Sequence, residues 1–435
     1  LRMFTTNACT AALFASLLLA TPALGQPRST TVSITDTGAI GDGKTLNTAA
    51  IQKAIDEAAS LGGGGAGGGT VNIPAGTFRT GALFLKPGVN LHLDKDAVLK
   101  GSTDIKDYPK LETRIEGHFQ QWIPALINAD HVDHLRITGE GTLDGSGEPF
   151  WSEFWTRYHA DKKTTNLDVE RPRLIYIANA TDIQITGLRL LNSGFWNLHV
   201  YNCQNVVIDG LDIKSGESSP STDGTDIDSS QNVEIKNCTY NVNDDCIALK
   251  GSKGPLAMED KKSPPVEHIH ISNCTFVHGQ GVVTLGSEAT VVRDVVVEHC
   301  SVAGPNLKGV PIVRLKLRPD TPQDYEDLHF RDITGDGDAT LISVRPWTQY
   351  FDLAGHAPPT RAVRNVTLSD IKGTFRALGT IKGNPGDVIE NITLENIDIQ
   401  VKEEKATIAG VKDLTAKNVR INGKEWTPPS EENAK

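Results

Sequence analysis

The chain is predicted to be all-β, wound as a right-handed parallel β-helix, and three observations carry that expectation. A short strand-like pattern recurs from the middle onward: Asp, Asn or His, then alternating apolar residues, as in "DIQITGLRL", "NVVIDGLDI", "NVEIKNCTY", "HIHISNCTF" and "NITLENIDI". Its first apolar positions are Leu135, Ile183, Val206, Val233, Ile269, Val295, Leu328, Val366, Ile392 and Leu414, with the shortest spacings at 22 to 27 residues. Long stretches of 3.6-residue periodicity are scarce. A repeat of that period built on strands is a solenoid in which equivalent residues stack about 4.8 Å apart. The wider spacings read as the same coil with a loop inserted.

Taken in order, residues 1–25 read as an export signal. Arg2 precedes the apolar run "AALFASLLLA", and "PALG" before Gln26 suits cleavage after Gly25. The mature protein is therefore expected to be secreted or periplasmic. Residues 26–110 are assigned to the N-terminal cap and first coils. Within them, Ala50, Ile51, Ala54, Ile55 and Ala58 fall at helical spacing, so a helix is expected to close the solenoid before a glycine run. Residues 111–430 form the body, continuous with 26–110 as one domain.

The net charge of −11 argues against non-specific binding to nucleic acid or an anionic membrane. No second run is apolar and long enough to span a bilayer. Cys9 leaves with the signal. Of Cys203, Cys238, Cys246, Cys274 and Cys300, four are expected at equivalent places in the repeat, as a stack of buried thiols rather than a disulfide framework. The five Asn-x-Ser/Thr sequons, Asn237, Asn273, Asn365 and Asn391 among them, mostly belong to the strand repeat and read as structural.

Chemistry concentrates at "STDGTDIDSSQNVEIKNCTYNVNDDC", Ser221 to Cys246. Asp223 lies 21 residues before Asp244 and 22 before Asp245, about one coil, so the two groups are expected on adjacent rungs of one face. Three carboxylates that close cannot all ionise, so at least one is driven to hold a proton. A protonated and an ionised carboxyl are the acid and base of glycoside hydrolysis, and a gap of roughly 6.5–9.5 Å would fit an inverting enzyme. Turn chemistry suffices for Asp228, and "DGTDID" resembles a calcium loop only without its later glutamate. Arg314 and Lys316, at i and i+2, share one strand face and suit an anionic substrate.

These residues resemble the active-site region of glycoside hydrolase family 28, the polygalacturonases and their relatives. Ser221-Thr222-Asp223 matches the family's Asn-Thr-Asp, Asp244-Asp245 its Asp-Asp, and Arg314-Leu315-Lys316 its Arg-Ile-Lys. "GEGTLDGSGEPFW", "RPRLIYI", "NSGFWNLHVYNC" and "LGSE" look like bacterial, exo-acting members. The resemblance implies an inverting hydrolase of α-galacturonosyl linkages in pectin, with Asp244 as general acid and Asp223 and Asp245 activating water. It implies that Arg314 and Lys316 hold substrate carboxylates. Ser221 departs from the family's Asn, and Gln280 stands where the histidine of Gly-His-Gly belongs. His278, two residues earlier, is either a substitute or a coil-edge histidine. Arg318 would widen the anion-binding cleft, and Trp151, Trp155, Trp196 and Trp347 are candidate sugar platforms.

The expected partner is an anionic polysaccharide or oligosaccharide of pectin, bound by a monomer without metal or cofactor. The alternatives are a rhamnogalacturonan hydrolase of the same family, a calcium-dependent pectate-lyase-like enzyme, and a non-catalytic glycan-binding β-helix.

Overall fold

A computed structural model describes residues 31–61, 68–304 and 307–429. The expected export signal and Cys9 lie outside them, as does most of the glycine run.

The chain coils so that each strand pairs in parallel with its equivalent on the next turn, and one continuous sheet of 32 strands results. The repeat positions read from the sequence are in register. Ile183 pairs Val206, which pairs Val233, then Ile269, Val295, Leu328, Val366, Ile392 and Leu414. The residue before each apolar position turns the chain with a left-handed φ, from Asp182 (58°) through Asn205, Asn232, His268 and Asp294 to Asp413 (56°). That conformation is least costly for Asn, Asp and Gly, which is why the repeat so often begins with an acid or amide. Sequon asparagines serve the same stacking: Asn391 Nδ2 donates to Asn365 Oδ1 (3.1 Å), and Asn365 to Asp327 (2.9 Å).

The apolar side chains point inward and form one cluster from Val32 to Ile421. Helix α1 (Thr48–Leu61) caps the first coils, burying Ile51, Ala54, Ile55 and Ala58 as its periodicity requires. No helix among the described residues is long and apolar enough to cross a membrane.

The sequence reading needs three corrections. The cysteines are free and buried, but three, not four, are equivalent: Cys238, Cys274 and Cys300 precede the paired positions Thr239, Thr275 and Ser301. Cys203 sits at another corner, its carbonyl accepting from Gln231 N–H. A second helix, α2 (Glu148–Ala160), and an antiparallel hairpin, Leu111–Ile115 with His118–Trp122, rise from the inserted loops. Finally, Asp228 is no turn residue. It ends the Thr225–Asp228 strand fully buried, accepting from Arg114 Nε (2.9 Å).

Candidate active site

One face of the solenoid carries the strands Leu198–Tyr201, Thr225–Asp228, Asp245–Lys250, Gly281–Leu285 and Pro311–Leu317 on successive rungs. Above it opens a cleft of about 720 Å³, bordered by Asp223, Asp244, Asp245, Gln280, Lys316 and Trp347 among others.

Thr225 pairs Ile247, and Gly224 N–H donates to the Asp245 carbonyl at 2.9 Å. Asp223 is thereby set beside Asp245. Only glycine fits at 224, because a Cβ there would lie 2.4 Å from the Cys246 carbonyl oxygen. Asn197 holds the Asp223 carbonyl through both its backbone and side-chain N–H, each at 2.9 Å. Asn243 Nδ2 ties the Asp-Asp turn to Ser219 O (2.8 Å). The three carboxylates each bring an oxygen within 4.8 Å of the others. The expected gap of 6.5–9.5 Å is thus corrected. Asp244 and Asp245 are chain neighbours, and Asp223 lies one rung away. Such spacing also suits a divalent cation, but here ammonium and guanidinium groups meet the charge, and no metal ligand is assigned.

Asp245 is held by Arg314 Nη1 (2.7 Å), Lys316 Nζ (2.7 Å) and Thr284 Oγ1 (2.8 Å). A Cβ at Gly281 would fall 2.7 Å from Asp245 Oδ1 and 2.8 Å from Arg314 Cδ, so its absence makes room for this pair. Burial would raise Asp245, but Lys316 and then Arg314 outweigh it and hold the carboxyl below the usual range. Asp244 has no such cations at contact. Burial, then Asp223 and Asp245, push it up to about 7. Burial, then Asp226, also raise Asp223. Neighbouring carboxyls are therefore driven to opposite protonation states, the arrangement acid–base chemistry needs.

Several side chains take roles the sequence did not give them. Gln280 borders the cleft and braces the acidic turn: its N–H donates to Asp244 O (2.9 Å), and its Nε2 to Asn243 O (3.0 Å). His278 does not border the cleft, and its Nε2 lies 3.3 Å from Asn243 Oδ1. Arg318 does border it, but its guanidinium is committed to Asp320 (2.8 and 2.7 Å) and to the carbonyls of Gln349 and Tyr350. It anchors a loop rather than adding free positive charge. Of the tryptophans, Trp347 packs under Arg314 and Lys316, at 5.2 and 4.7 Å from its ring centre, and Trp196 under Lys250 at 4.6 Å. Trp151 is buried, and Trp155 borders the cleft.

Sequence reasoning missed Lys250 and Glu288. The Lys250 ammonium lies 3.4 Å from both Asp223 and Asp226 and 3.7 Å from Glu288. The signal was a lysine ending the otherwise apolar run "CIALK", where a buried charge demands partners. Glu288 was inside "LGSE". Against burial, Lys250 and Lys253 keep it below the usual carboxylate range.

Residues 66–420 match glycosyl hydrolases family 28. A probable polygalacturonase of Vitis vinifera is 35% identical over 268 residues, 60% of this chain and 52% of that protein, so the chain spans about half of that relative's length. An exo-poly-alpha-D-galacturonosidase of Dickeya chrysanthemi is 26% identical over 475 residues, covering 91% of this chain and 75% of that one. The crystal structure of an exopolygalacturonase from Thermotoga maritima shares the fold, with a TM-score of 0.73 at 23% identity over 92% of this chain and 94% of that one.

Proposed function

Because the chain belongs to glycosyl hydrolases family 28, we propose that it hydrolyses the α-galacturonosyl linkages of pectin polygalacturonan outside the cell, from a chain end and with inversion. One observation carries the acid–base roles: three carboxylates within 4.8 Å, one protonated and one ionised, in a cleft that also presents Lys316, while inversion rests on the family resemblance.

Asp244 is the general acid. It holds its proton up to about pH 7 and gives it to the leaving glycosidic oxygen. A water within about 2.8 Å of one oxygen on each of Asp223 and Asp245 spans the spacing between them. Those carboxylates take its proton as it attacks the anomeric carbon from the face opposite the leaving group. Lys316 meets the galacturonate carboxylate, and Arg314 braces Asp245 behind it. Lys316 is the better placed to anchor the sugar, because it borders the cleft and Arg314 does not.

Chain-end action is supported by what crosses the cleft. The loop held by Arg318 carries Tyr350, whose Oη donates across to Thr164 O (3.4 Å) beyond α2. Asn166, from the same segment, donates to Glu116 at the hairpin tip (3.1 Å). These contacts join loops that border the cleft, which favours entry of a chain end over a through-running polymer. Product analysis on polygalacturonate and rhamnogalacturonan tests the reading. Early release of only monomer or dimer from the first supports it. A ladder of oligomers overturns chain-end action, and release only from rhamnogalacturonan overturns the substrate.

A further inference from the structure

Asp226 belongs to the strand that follows Asp223, yet lacks what its neighbours have. Asp245 has three donors and Asp244 accepts from the Asp245 N–H (3.0 Å). The Asp226 side chain is fully buried, and neither of its oxygens has a hydrogen-bond partner. Lys250 lies 3.4 Å from one of them but out of line for a hydrogen bond.

The groups that face it are engaged elsewhere. From the preceding coil, His199 pairs Asp228, and Arg173 serves His199, Thr113 and the Arg114 carbonyl. From the following coil, the Lys250 ammonium is shared with Asp223 and Glu288, and Asp245 adds negative charge. Asp223 completes the set. Buried negative charge is in excess here, and Asp226 has no side-chain or backbone donor in line to carry its share.

We propose that Asp226 is a positioning residue for hydrolysis, kept protonated in the resting enzyme so that its O–H donates to Asp223 and, with Lys250, holds Asp223 ionised and aimed at the attacking water. The proposal rests on Asp223 being one of the two water-activating carboxylates. Asp223 lies close enough for a carboxyl–carboxyl hydrogen bond, and burial pushes Asp226 up to about 7 although Lys250 and that bond oppose the rise. Protonation of Asp226 also resolves a conflict at Asp223, whose raised pKa owes most to burial and next to the charge of Asp226. A proton on Asp226 removes that charge. In the reaction Asp226 keeps its proton: the water's goes to Asp223 and Asp245, and the leaving oxygen receives the one from Asp244.

The test compares native enzyme, Asp226→Asn and Asp226→Leu on polygalacturonate across pH, with infrared difference spectra at mildly acidic pH. The amide N–H replaces the O–H at every pH. The alkaline limb is therefore expected to fall with two protons in native enzyme, those of Asp244 and Asp226, and with one in Asp226→Asn. Asp226→Asn should stay within about tenfold of the native kcat at acid pH, while Asp226→Leu loses roughly 10–100-fold. The protonated-carboxyl band of Asp226 should vanish from the Asp226→Asn spectrum. An unchanged two-proton limb in Asp226→Asn, an inactive Asp226→Asn, or no band lost overturns the proposal. A native enzyme inert on polygalacturonate overturns the functional reading instead, and the infrared band still decides where the proton lies.

Discussion

Two buried charge clusters grow from the single strand Thr225–Asp228, two residues apart on the same strand face. At Asp228, Arg114 Nε and Nη2 donate to the carboxylate (2.9 and 3.2 Å), with His199 Nε2 at 3.3 Å. Burial would raise Asp228, but Arg114 and the His199 hydrogen bond outweigh it and hold the carboxyl low. Two residues earlier, Asp226 shares one ammonium with two other acids and is pushed up to about 7. Both carboxylates are fully buried. The difference is the ratio of cations to carboxylates: where charge is compensated the cluster fastens the hairpin to the body, and where it is short a proton must make up the balance. Of the under-compensated cluster, Asp223, Lys250 and Glu288 border the cleft.

The comparison breaks most visibly at Asp244. Asp244→Asn is expected to lower kcat by roughly 10²–10⁴ with little change in melting temperature, measured as reducing-end release. Its mirror image is Arg114→Met on the compensated side, which leaves Asp228 with too little positive charge. That variant should lose roughly 3–5 kcal/mol in denaturant unfolding. Lys316→Met sharpens the contrast by making Asp245 resemble Asp226. The acid limb of the pH–rate profile should move upward as Asp245 loses its main cation, and kcat should fall about 10²-fold as the carboxylate shifts. The smallest effect lies far from both clusters. Asn391→Ala puts alanine at φ 58° and removes the bond to Asn365, so about 1–2 kcal/mol of stability should go while activity stays.

The same pair predicts opposite stability changes with pH. Asp228, depressed in the fold, contributes stability above its unfolded value of about 3.9, and that contribution is lost as pH falls through the folded value. Asp226 and Asp244, raised to about 7, contribute fully below about 3.9 and lose it as pH rises through 7.

How far the sequence could be read follows from the same physics. Coil register was legible because each rung begins at a left-handed turn residue followed by an inward apolar side chain, a pattern that survives loop insertion. Asp223, Asp244 and Asp245 were legible because their spacing equals one coil. The fate of Asp228 was not: its partner Arg114 lies 114 residues away in the chain, on a hairpin within a loop. Arg318 and Trp347 border the cleft as expected, but the sequence did not show that Asp320 and the carbonyls of Gln349 and Tyr350 engage the first or that Arg314 and Lys316 lie over the ring of the second. Helix α2 left a readable signal in Phe150, Trp151 and Phe154, but it sits inside a long interval taken only for a loop. Lys250 needed three dimensions, since its acids come from the preceding rung and from Glu288.

Proton states and cleft geometry together make one claim: Asp244 protonates the leaving oxygen while Asp223 and Asp245 send water in from the other side. Proton NMR of the first product released from polygalacturonate reads this directly. Galacturonate appearing first as the β-anomer is the predicted result. The α-anomer, or an unsaturated sugar absorbing in the ultraviolet, would contradict it.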